Sequence, residues 1–342
     1  MGVGLDQDAE EALYRRSRAM WHPVAYADDV TEAPLAVRLL DEPVVVVRLD
    51  DTVVAFKDLC IHRGTALSLG TVIDGELQCA YHGWRFDSSG ACVRIPSRPD
   101  GSIPRKARVE KYACEEAAGL VWVCLEPPAL FPLPQYRAWA DADYRTVRIP
   151  LYDWNSSAAR RVENFIDFSH FPFVHAGVLG NPDKPEIPDH PVTRGEHTIA
   201  FELGVEEVPN ALKGDSSDSE ESDSPIQRQP STYTIFMPYS VQLDQPLEDG
   251  HRFLLFMASC PVGRKETRTF SWCSRNYDLD PEQDEQFVEF QRVILEQDRV
   301  VVESQRPEEL PIDLSEELHI KGVDQVSVDY RRWLLELASP SD

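Results

Sequence analysis

Basic residues are scarce in this chain of 342 residues: 34 lysines and arginines are outnumbered by 59 aspartates and glutamates, and the formal net charge is −25. Nucleic-acid binding depends on a basic face that meets the phosphates, so this charge argues against a nucleic-acid partner. Long apolar runs are missing as well, because no segment approaches the roughly 20 apolar residues that a membrane helix needs. The sequence therefore predicts neither nucleic acid nor a membrane as partner.

Three further absences concern the compartment and the cofactor. The first residues, MGVGLDQDAEEALYRR, are acidic where a secretory signal is basic and then apolar, so they predict a short amphipathic helix and a cytoplasmic protein. The seven cysteines are odd in number, and five of them show no paired spacing, which favours reduced thiols over disulfides. No G-x-G-x-x-G fingerprint follows a predicted strand, so nothing indicates an NAD or flavin site in this chain.

Local patterns divide the chain into two domains. Residues 33–126 contain short apolar runs such as VVVVRL and LVWVCL between turn residues, which predicts an all-β domain. EPPALFPLPQY (126–136) has four prolines and no periodicity, so we expect domains at 1–127, with a core from about residue 20, and at 128–342. The whole is an α+β fold, whose second domain has an antiparallel sheet flanked by helices. The acidic, serine-rich segment at 213–229 is expected to be a mobile loop.

Two short motifs, C-x-H at Cys60–His62 and C-x-x-H at Cys79–His82, lie sixteen residues apart in the first domain. Thiolates and imidazoles together bind zinc or iron. Structural zinc sites usually pair like with like, whereas each motif here contributes one cysteine and one histidine. The mixed order suits a Rieske [2Fe–2S] cluster, in which one iron takes both sulfurs and the other takes both nitrogens. A zinc site and four unrelated buried residues are the alternatives.

A second constellation occurs in RRVENFIDFSHFPFVH (160–175), which contains Asp167, His170 and His175. Asp167 and His170 are three residues apart, so on a helix they share a face. The carboxylate of Asp167 can then accept a hydrogen bond from the spare N–H of His170, as partners of metal-bound histidines usually do. His170 and His175 lie about 140° apart on an unbroken helix, so they cannot both reach one metal. Pro172 is expected to kink or end the helix and let them converge. The alternative is two histidines that bind no metal.

A carboxylate would complete the 2-His-1-carboxylate face that binds Fe(II) and leaves positions open for O₂. A helix is predicted at about 281–304 with Asp280 as its N-cap. Its apolar stripe consists of Phe287, Phe290, Ile294 and Val301. Asp298 falls about 20° from Phe287 and so lies within that stripe. Buried carboxylates are usually paired or bound to metal, so Asp298 is the expected third ligand unless the stripe is partly exposed or an arginine pairs it.

CIHRG and CAYHGW closely resemble the paired cluster-binding motifs of Rieske non-haem iron oxygenases. ENFIDFSHFPFVH resembles the mononuclear-iron motif of their α-subunits, and EQDRVVVESQRP resembles the segment with the aspartate ligand. MWHPVAYADDV, GLVWVCLEPP and VSVDYRRWLLEL also match, so the resemblance covers nearly the whole chain. Family members commonly have proline after each cysteine; Ile61 and Ala80 stand there instead, and neither is a ligand position. The resemblance is closest to the hydroxylase and demethylase branch.

The resemblance implies a Rieske cluster, a mononuclear Fe(II) and O₂ as co-substrate. The implied metal ligands are Cys60, His62, Cys79 and His82 for the cluster, and His170, His175 and Asp298 for the iron. It further implies a head-to-tail homotrimer, in which Asp167 links His82 of a neighbouring cluster to His170. Asn164 is expected to hydrogen-bond near the iron. Electrons are expected from a separate NAD(P)H-dependent reductase, with or without a ferredoxin.

The expected reaction is C–H hydroxylation or oxidative N-/O-demethylation of a small heterocyclic, aromatic or alkaloid-like molecule. Alternatives are cis-dihydroxylation or oxidative cyclisation by the same iron, an electron-transfer protein that has only the cluster, and a zinc-stabilised binding module. The expected pocket residues are Val178, Leu179, Tyr233, Met237, Tyr239 and Met257.

Overall fold

The computed structural model describes residues 6–176, 178–204 and 230–339, and the chain divides into two compact units. One unit comprises Ser17–Leu133 and Cys260–Gly263, and the other comprises Met1–Arg16, Pro134–Ser259 and Arg264–Asp342. The predicted acidic loop at 213–229 lies outside the described residues. Across the described part, every helix is too short or too polar to cross a lipid bilayer.

The first unit is built from β-strands, which confirms the predicted all-β domain. A six-stranded sheet has the order β1-β10-β9-β4-β3-β2, and a four-stranded sheet has the order β5-β6-β7-β8. The strands are β1 (His22–Tyr26), β2 (Leu35–Leu39), β3 (Glu42–Leu49), β4 (Thr52–Lys57), β5 (Thr71–Ile73), β6 (Glu76–Gln78), β7 (Arg85–Phe86), β8 (Cys92–Arg94), β9 (Lys111–Ala117) and β10 (Leu120–Cys124).

The core of this unit carries the cysteine motifs. Val45, Val47 and Leu49 alternate along β3, so their side chains share one face of the sheet. That face belongs to the same buried cluster as Cys60 and Cys79. The two cysteines are therefore anchored in the core from which their loops leave.

Within its described residues, the second unit has one seven-stranded sheet with the order β11-β17-β16-β15-β14-β13-β12 and five helices, which confirms the α+β prediction. Adjacent strands such as β14 and β15 pair antiparallel. The strands are β11 (Arg145–Trp154), β12 (Val192–Arg194), β13 (Thr198–Leu203), β14 (Ser231–Phe236), β15 (Ser240–Pro246), β16 (Arg252–Gly263) and β17 (Glu266–Arg275). The helices are α1 (Asp6–Arg16), α2 (Ala158–Ile166), α3 (Phe171–Val174), α4 (Asp284–Val302) and α5 (Gln325–Ala338).

The N-terminal helix differs in its position from the predicted domain division. The sequence groups it with residues up to 127, but α1 packs on α5 in the second unit. Glu11 forms an ion pair with Arg264, and the carboxylate of Glu10 accepts a hydrogen bond from the backbone N–H of Ile312 at 3.0 Å. The chain enters the long middle segment of the second unit at Pro134, directly after Leu133.

The break between α2 and α3 has another cause than the predicted one. α2 ends at Ile166, and Asp167 already has extended backbone, with φ −92° and ψ 121°. Its carboxylate accepts a hydrogen bond from the backbone N–H of Ser169 at 2.8 Å, a local turn that competes with helix. Pro172 instead lies in the first turn of α3, where a backbone N–H has no acceptor within the helix and its absence costs no hydrogen bond. The prediction that Asp167 and His170 share one helix is therefore wrong.

α4 begins as the sequence predicts, because the side chain of Asp280 accepts a hydrogen bond from the backbone N–H of Glu282 at 2.9 Å. Its buried residues are Phe287, Gln291, Leu295, Asp298 and Val302. The prediction of Val301 in the buried stripe is wrong, since that side chain is 44% exposed and Val302 packs inward. Asp298 is 6% exposed, so the sequence places it on the correct face.

Candidate metal centres and substrate cavity

The two cysteine motifs lie in turns of the same construction. The backbone N–H of Gly64 donates to the carbonyl of Cys60 at 2.9 Å. In the same way, the N–H of Gly83 donates to the carbonyl of Cys79 at 3.0 Å. Both glycines have positive φ, +73° and +67°, the left-handed region that favours glycine. The repeated turn gives the two cysteines equivalent backbone surroundings.

The side chains of these motifs form a thiol pair and an imidazole pair. Cys60 and Cys79 are both buried, and burial together with the neighbouring Cys79 raises the pKa of the Cys60 thiol to about 11. The rings of His62 and His82 lie 4.6 Å apart between centroids. Nδ1 of His62 is buried and has no hydrogen-bond partner among the described residues. Adjacent buried thiols and an unpartnered imidazole nitrogen fit residues that hold a metal cluster.

Each motif contributes one cysteine and one histidine, which is the ligand set of a cluster in which one iron takes both sulfurs and the other takes both nitrogens. A separate group of three metal-binding side chains among the described residues brings its ligand atoms within 4.8 Å of one another.

That compact group consists of His170, His175 and Asp298, the three residues predicted for the mononuclear site. Nε2 of His170 lies 3.3 Å from Oδ1 of Asp298, and Nε2 of His175 lies 3.1 Å from the same atom. Neighbouring ligands at right angles around a metal at about 2.1 Å are roughly 3.0 Å apart. Nε2 of His175 is buried, and Asp298 is its polar contact among the described residues. The three side chains therefore fit one metal ion on one face.

Neighbouring side chains orient the three candidate ligands. Nδ1 of His175 lies 2.8 Å from Oε1 of Gln297, so this nitrogen donates and Nε2 points to the site. Nδ1 of His170 lies 3.4 Å from a carboxylate oxygen of Asp167. The amide of Asn164 donates to Oδ1 of Asp298 at 3.2 Å. Sequence reasoning includes Asp167 and Asn164 but misses Gln297, whose only signal is its position next to Asp298.

His170 and Asp298 shift each other's pKa in opposite directions. Burial lowers the pKa of His170, but hydrogen bonds to Asp167 and Asp298 outweigh it and raise the pKa to about 9. Burial acts to raise the pKa of Asp298, but contacts with His170 and His175 outweigh it and hold that pKa well below its usual range. Asp298 is thus an ionised carboxylate ready to bind a cation.

All three candidate ligands line one cavity. Most of its other walls are apolar, including Phe165, Leu179, Tyr233, Phe253, Met257 and Phe290. Leu179, Tyr233 and Met257 are among the predicted pocket residues, whereas Val178, Met237 and Tyr239 do not line this cavity. Space for an apolar organic molecule therefore lies directly beside the candidate metal ligands.

Arg161 is a cavity residue that sequence reasoning misses. Its side chain is 3% exposed and donates from Nε to the Tyr152 hydroxyl at 2.9 Å. Its Nη1 donates to Oδ1 of Asn164 at 2.9 Å. The one available signal is the pair of arginines at 160–161 within the apolar helix AARRVENFI.

Comparisons with known proteins agree with both halves of this description. Residues 20–113 match the Rieske [2Fe-2S] domain, and residues 154–339 match the vanillate O-demethylase oxygenase C-terminal domain. Methylxanthine N1-demethylase NdmA of Pseudomonas putida is 37% identical over 94% of this chain and 89% of that protein. Methylxanthine N3-demethylase NdmB of the same organism is 35% identical with the same coverage.

Solved structures show the same relationship. The structure of Pseudomonas putida CBB5 NdmA with caffeine has a TM-score of 0.84 at 36% identity, over 96% of this chain and 92% of that chain. The catalytic half alone matches its family over more than half of this chain. The chain therefore belongs to the Rieske non-haem iron oxygenases with a vanillate O-demethylase-type catalytic domain, enzymes that carry a Rieske [2Fe–2S] cluster and a mononuclear iron and that use O₂.

Proposed function

We propose that this chain is an oxygenase that removes a methyl group from an N-methylated heterocycle. The observation that carries the proposal is that His170, His175 and Asp298 all line the largely apolar cavity. A metal held there adjoins the space for an organic substrate. The similarity to two methylxanthine demethylases favours an N-methyl group as the site of oxidation.

The proposed reaction balances with two electrons and two protons. The substrate N–CH₃ group, O₂, two electrons and two protons give N–CH₂OH and water. The N–CH₂OH group then releases formaldehyde and leaves N–H. The iron supplies the activation of O₂, and this chain's residues bind, orient and shield the substrate.

The residue roles follow from the geometry of the two sites. We assign the cluster to Cys60, His62, Cys79 and His82, and the mononuclear iron to His170, His175 and Asp298. Asn164 donates to Asp298 and fixes the direction of its carboxylate. The apolar walls keep water away from the methyl group while it is oxidised.

The proposal includes a homotrimer in which the cluster of one subunit delivers an electron to the iron of the next through Asp167. His82 is exposed, and the Asp167 side chain is 40% exposed, so both are accessible to another copy. Tyr81, beside His82, is 64% exposed. Leu318, which lines a surface cavity together with Asp167, is 88% exposed. Burial of these apolar side chains would stabilise such an interface.

We also propose that a separate NAD(P)H-dependent reductase, with or without a ferredoxin, supplies the electrons. The protein is proposed to be cytoplasmic. None of the seven cysteines, all of them among the described residues, forms a disulfide, which supports a reducing compartment. The lack of a dinucleotide fingerprint in the sequence supports a separate source of electrons.

Single turnover tests the proposed reaction without a reductase. The cluster of the anaerobic protein is first reduced with dithionite. The protein then holds two electrons for the reaction, one at the cluster and one at the iron, and it is mixed with caffeine and ¹⁸O₂. We expect formaldehyde and a dimethylxanthine in equal amounts. A product that retains every methyl group and carries two ¹⁸O atoms would contradict demethylation and indicate cis-dihydroxylation.

A further inference from the structure

The guanidinium of Arg161 is a buried positive charge inside the substrate cavity. It is 3% exposed and lines the same cavity as the candidate iron ligands. No carboxylate of the described residues forms an ion pair with it, whereas the adjacent Arg160 pairs with Glu317 at 2.8 Å. A buried charge is costly unless it is paired or fully hydrogen-bonded. Arg161 also helps to lower the pKa of Asp298 in the same cavity, so its charge acts on that carboxylate through space and is not neutralised by a direct ion pair.

The hydrogen bonds of Arg161 leave part of its donor capacity unused. A guanidinium has five N–H donors. Nε donates to the Tyr152 hydroxyl, Nη1 to Oδ1 of Asn164, and Nη2 to Sδ of Met257, a weak acceptor. One N–H on each terminal nitrogen has no hydrogen-bond partner among the described residues. The indole of Trp154 lies 4.7 Å from the guanidinium carbon and covers one face of the group.

The neighbouring amide of Asn164 cannot take over this role. Asn164 accepts from Arg161 with its oxygen and donates to Asp298 with its nitrogen, so both ends of its amide are engaged. Gln291 is a second buried amide in the wall, but it carries no charge. Apart from these amides and the candidate metal ligands, the other walls are mainly aliphatic and aromatic. The guanidinium of Arg161 still offers hydrogen-bond donors and charge, so it would orient a polar atom of a bound heterocycle.

We propose that Arg161 donates to a ring carbonyl oxygen of the substrate and so determines which N-methyl group faces the iron ligands. The ligand class is N-methylated heterocycles with a ring carbonyl, such as cyclic amides and imides. This inference rests on the proposed demethylase function and specifies its substrate class. Charged hydrogen bonds of this kind discriminate by roughly ten- to hundredfold in binding.

Calorimetric titration of the anaerobic, oxidised holoenzyme with two purines tests the assignment. Caffeine has two ring carbonyl oxygens, and 7-methylpurine has the same fused rings without any. We expect the wild-type protein to bind caffeine at least about tenfold more tightly than 7-methylpurine, and this ratio of affinities is the readout. Arg161→Met is expected to reduce that ratio to about one, mostly through weaker caffeine binding. Tyr152→Phe is the control: it removes one fixed acceptor, retains the charge, and is expected to keep the ratio within about threefold of wild type.

The outcomes separate this inference from the proposed function. A purely structural role for Arg161 would weaken both probes equally, and an unchanged ratio in Arg161→Met would overturn the assignment. If Arg161→Met does not retain its cluster, Arg161→Lys decides, because the ammonium keeps the charge without the planar fork and a reduced ratio is expected. If the wild-type protein binds both purines equally, the role of Arg161 is contradicted, whereas the proposed demethylase function is not. Binding of neither probe contradicts the proposed substrate class itself.

Discussion

The amide nitrogen of Asn164 lies 3.2 Å from Oδ1 of Asp298, although 134 residues separate the two in the chain. The contact joins α2, which carries Asn164, to α4, which carries the candidate iron ligand. Arg161 fixes the opposite end of the amide, so its oxygen and nitrogen have different partners. One helix therefore sets the direction of a metal-binding carboxylate that the other helix provides.

Loss of this contact should weaken iron binding. In Asn164→Leu the amide is replaced by an apolar group of similar size, and we expect roughly tenfold weaker Fe(II) retention with an unchanged cluster, because partners of metal ligands contribute about that much. Iron remaining after a timed challenge with a ferrous chelator measures the effect. Asn155→Leu is the matched control, since Asn155 also donates to a carboxylate, that of Glu303 at 3.1 Å, away from the ligands. Equal iron loss in both variants would contradict the role of Asn164.

Removal of the Asp167 charge should slow electron delivery without loss of metal. In Asp167→Asn the amide oxygen can still accept from the backbone N–H of Ser169, so the turn is retained. We expect reoxidation of the reduced cluster, followed by stopped-flow absorbance in the presence of O₂ and caffeine, to slow by roughly tenfold or more. Asp313→Asn is the control, because Asp313 accepts from Ser315 in the same kind of turn at 2.7 Å. Wild-type reoxidation in Asp167→Asn would exclude Asp167 from the electron path.

The cluster loops should be sensitive to loss of glycine. Gly83 has φ +67°, and a Cβ there would lie 3.2 Å from Cγ of Pro96. We expect Gly83→Ala to cost about 1–2 kcal/mol and to lower the fraction of chains with an assembled cluster, and Gly83→Asn to be milder. Visible absorbance per chain measures the cluster. Gly322→Ala is the control, since Gly322 has φ +89° with open space around it and lies outside the cluster unit. An unaffected cluster in Gly83→Ala would be inconsistent with this account of the loop.

The candidate metal residues are accessible to sequence reasoning because their signals are local. Cys60 and His62, and likewise Cys79 and His82, stand close together in the sequence, and their mixed order favours a two-iron cluster over zinc. Asp298 is found by periodicity, because a carboxylate on the buried side of a helix needs a partner. The structure places it 6% exposed beside both histidines.

Prediction from the sequence fails where a feature depends on tertiary contacts. The helix break arises from the turn at Asp167 and not from Pro172, since a side chain that bonds its own backbone outweighs a visible helix breaker. Arg161 looks like a solvated charge on a helix, and only packing against Tyr152 and Met257 buries it. α5 and the strands β11 and β15 are likewise not predicted, because their burial depends on neighbours distant in the chain.

Stability should fall in mild acid because of His22. Its ring is 1% exposed; burial lowers its pKa to about 4 and outweighs the hydrogen bond to the carbonyl of Ser17. The unfolded chain takes up this proton near the ordinary value of about 6.5, so it binds more protons than the folded state as the pH falls below that value. We expect a loss of about 2 kcal/mol between pH 7 and pH 5 from this residue.

Urea unfolding at the two pH values, followed by tryptophan fluorescence, measures that loss. His22→Gln keeps a side-chain N–H for Ser17 but cannot titrate, so its free energy of unfolding should depend less on pH than that of the wild type. Parallel pH dependences for the two proteins would show that His22 is not the responsible group.

The most direct test of the two-centre account is a count of iron and acid-labile sulfide in anaerobically purified protein, together with His170→Ala. We predict about three irons and two sulfides per wild-type chain, and about two irons and two sulfides in the variant, because the mononuclear iron is lost and the cluster remains. About two irons in both proteins, or no loss of iron in His170→Ala, would contradict a mononuclear iron at His170, His175 and Asp298.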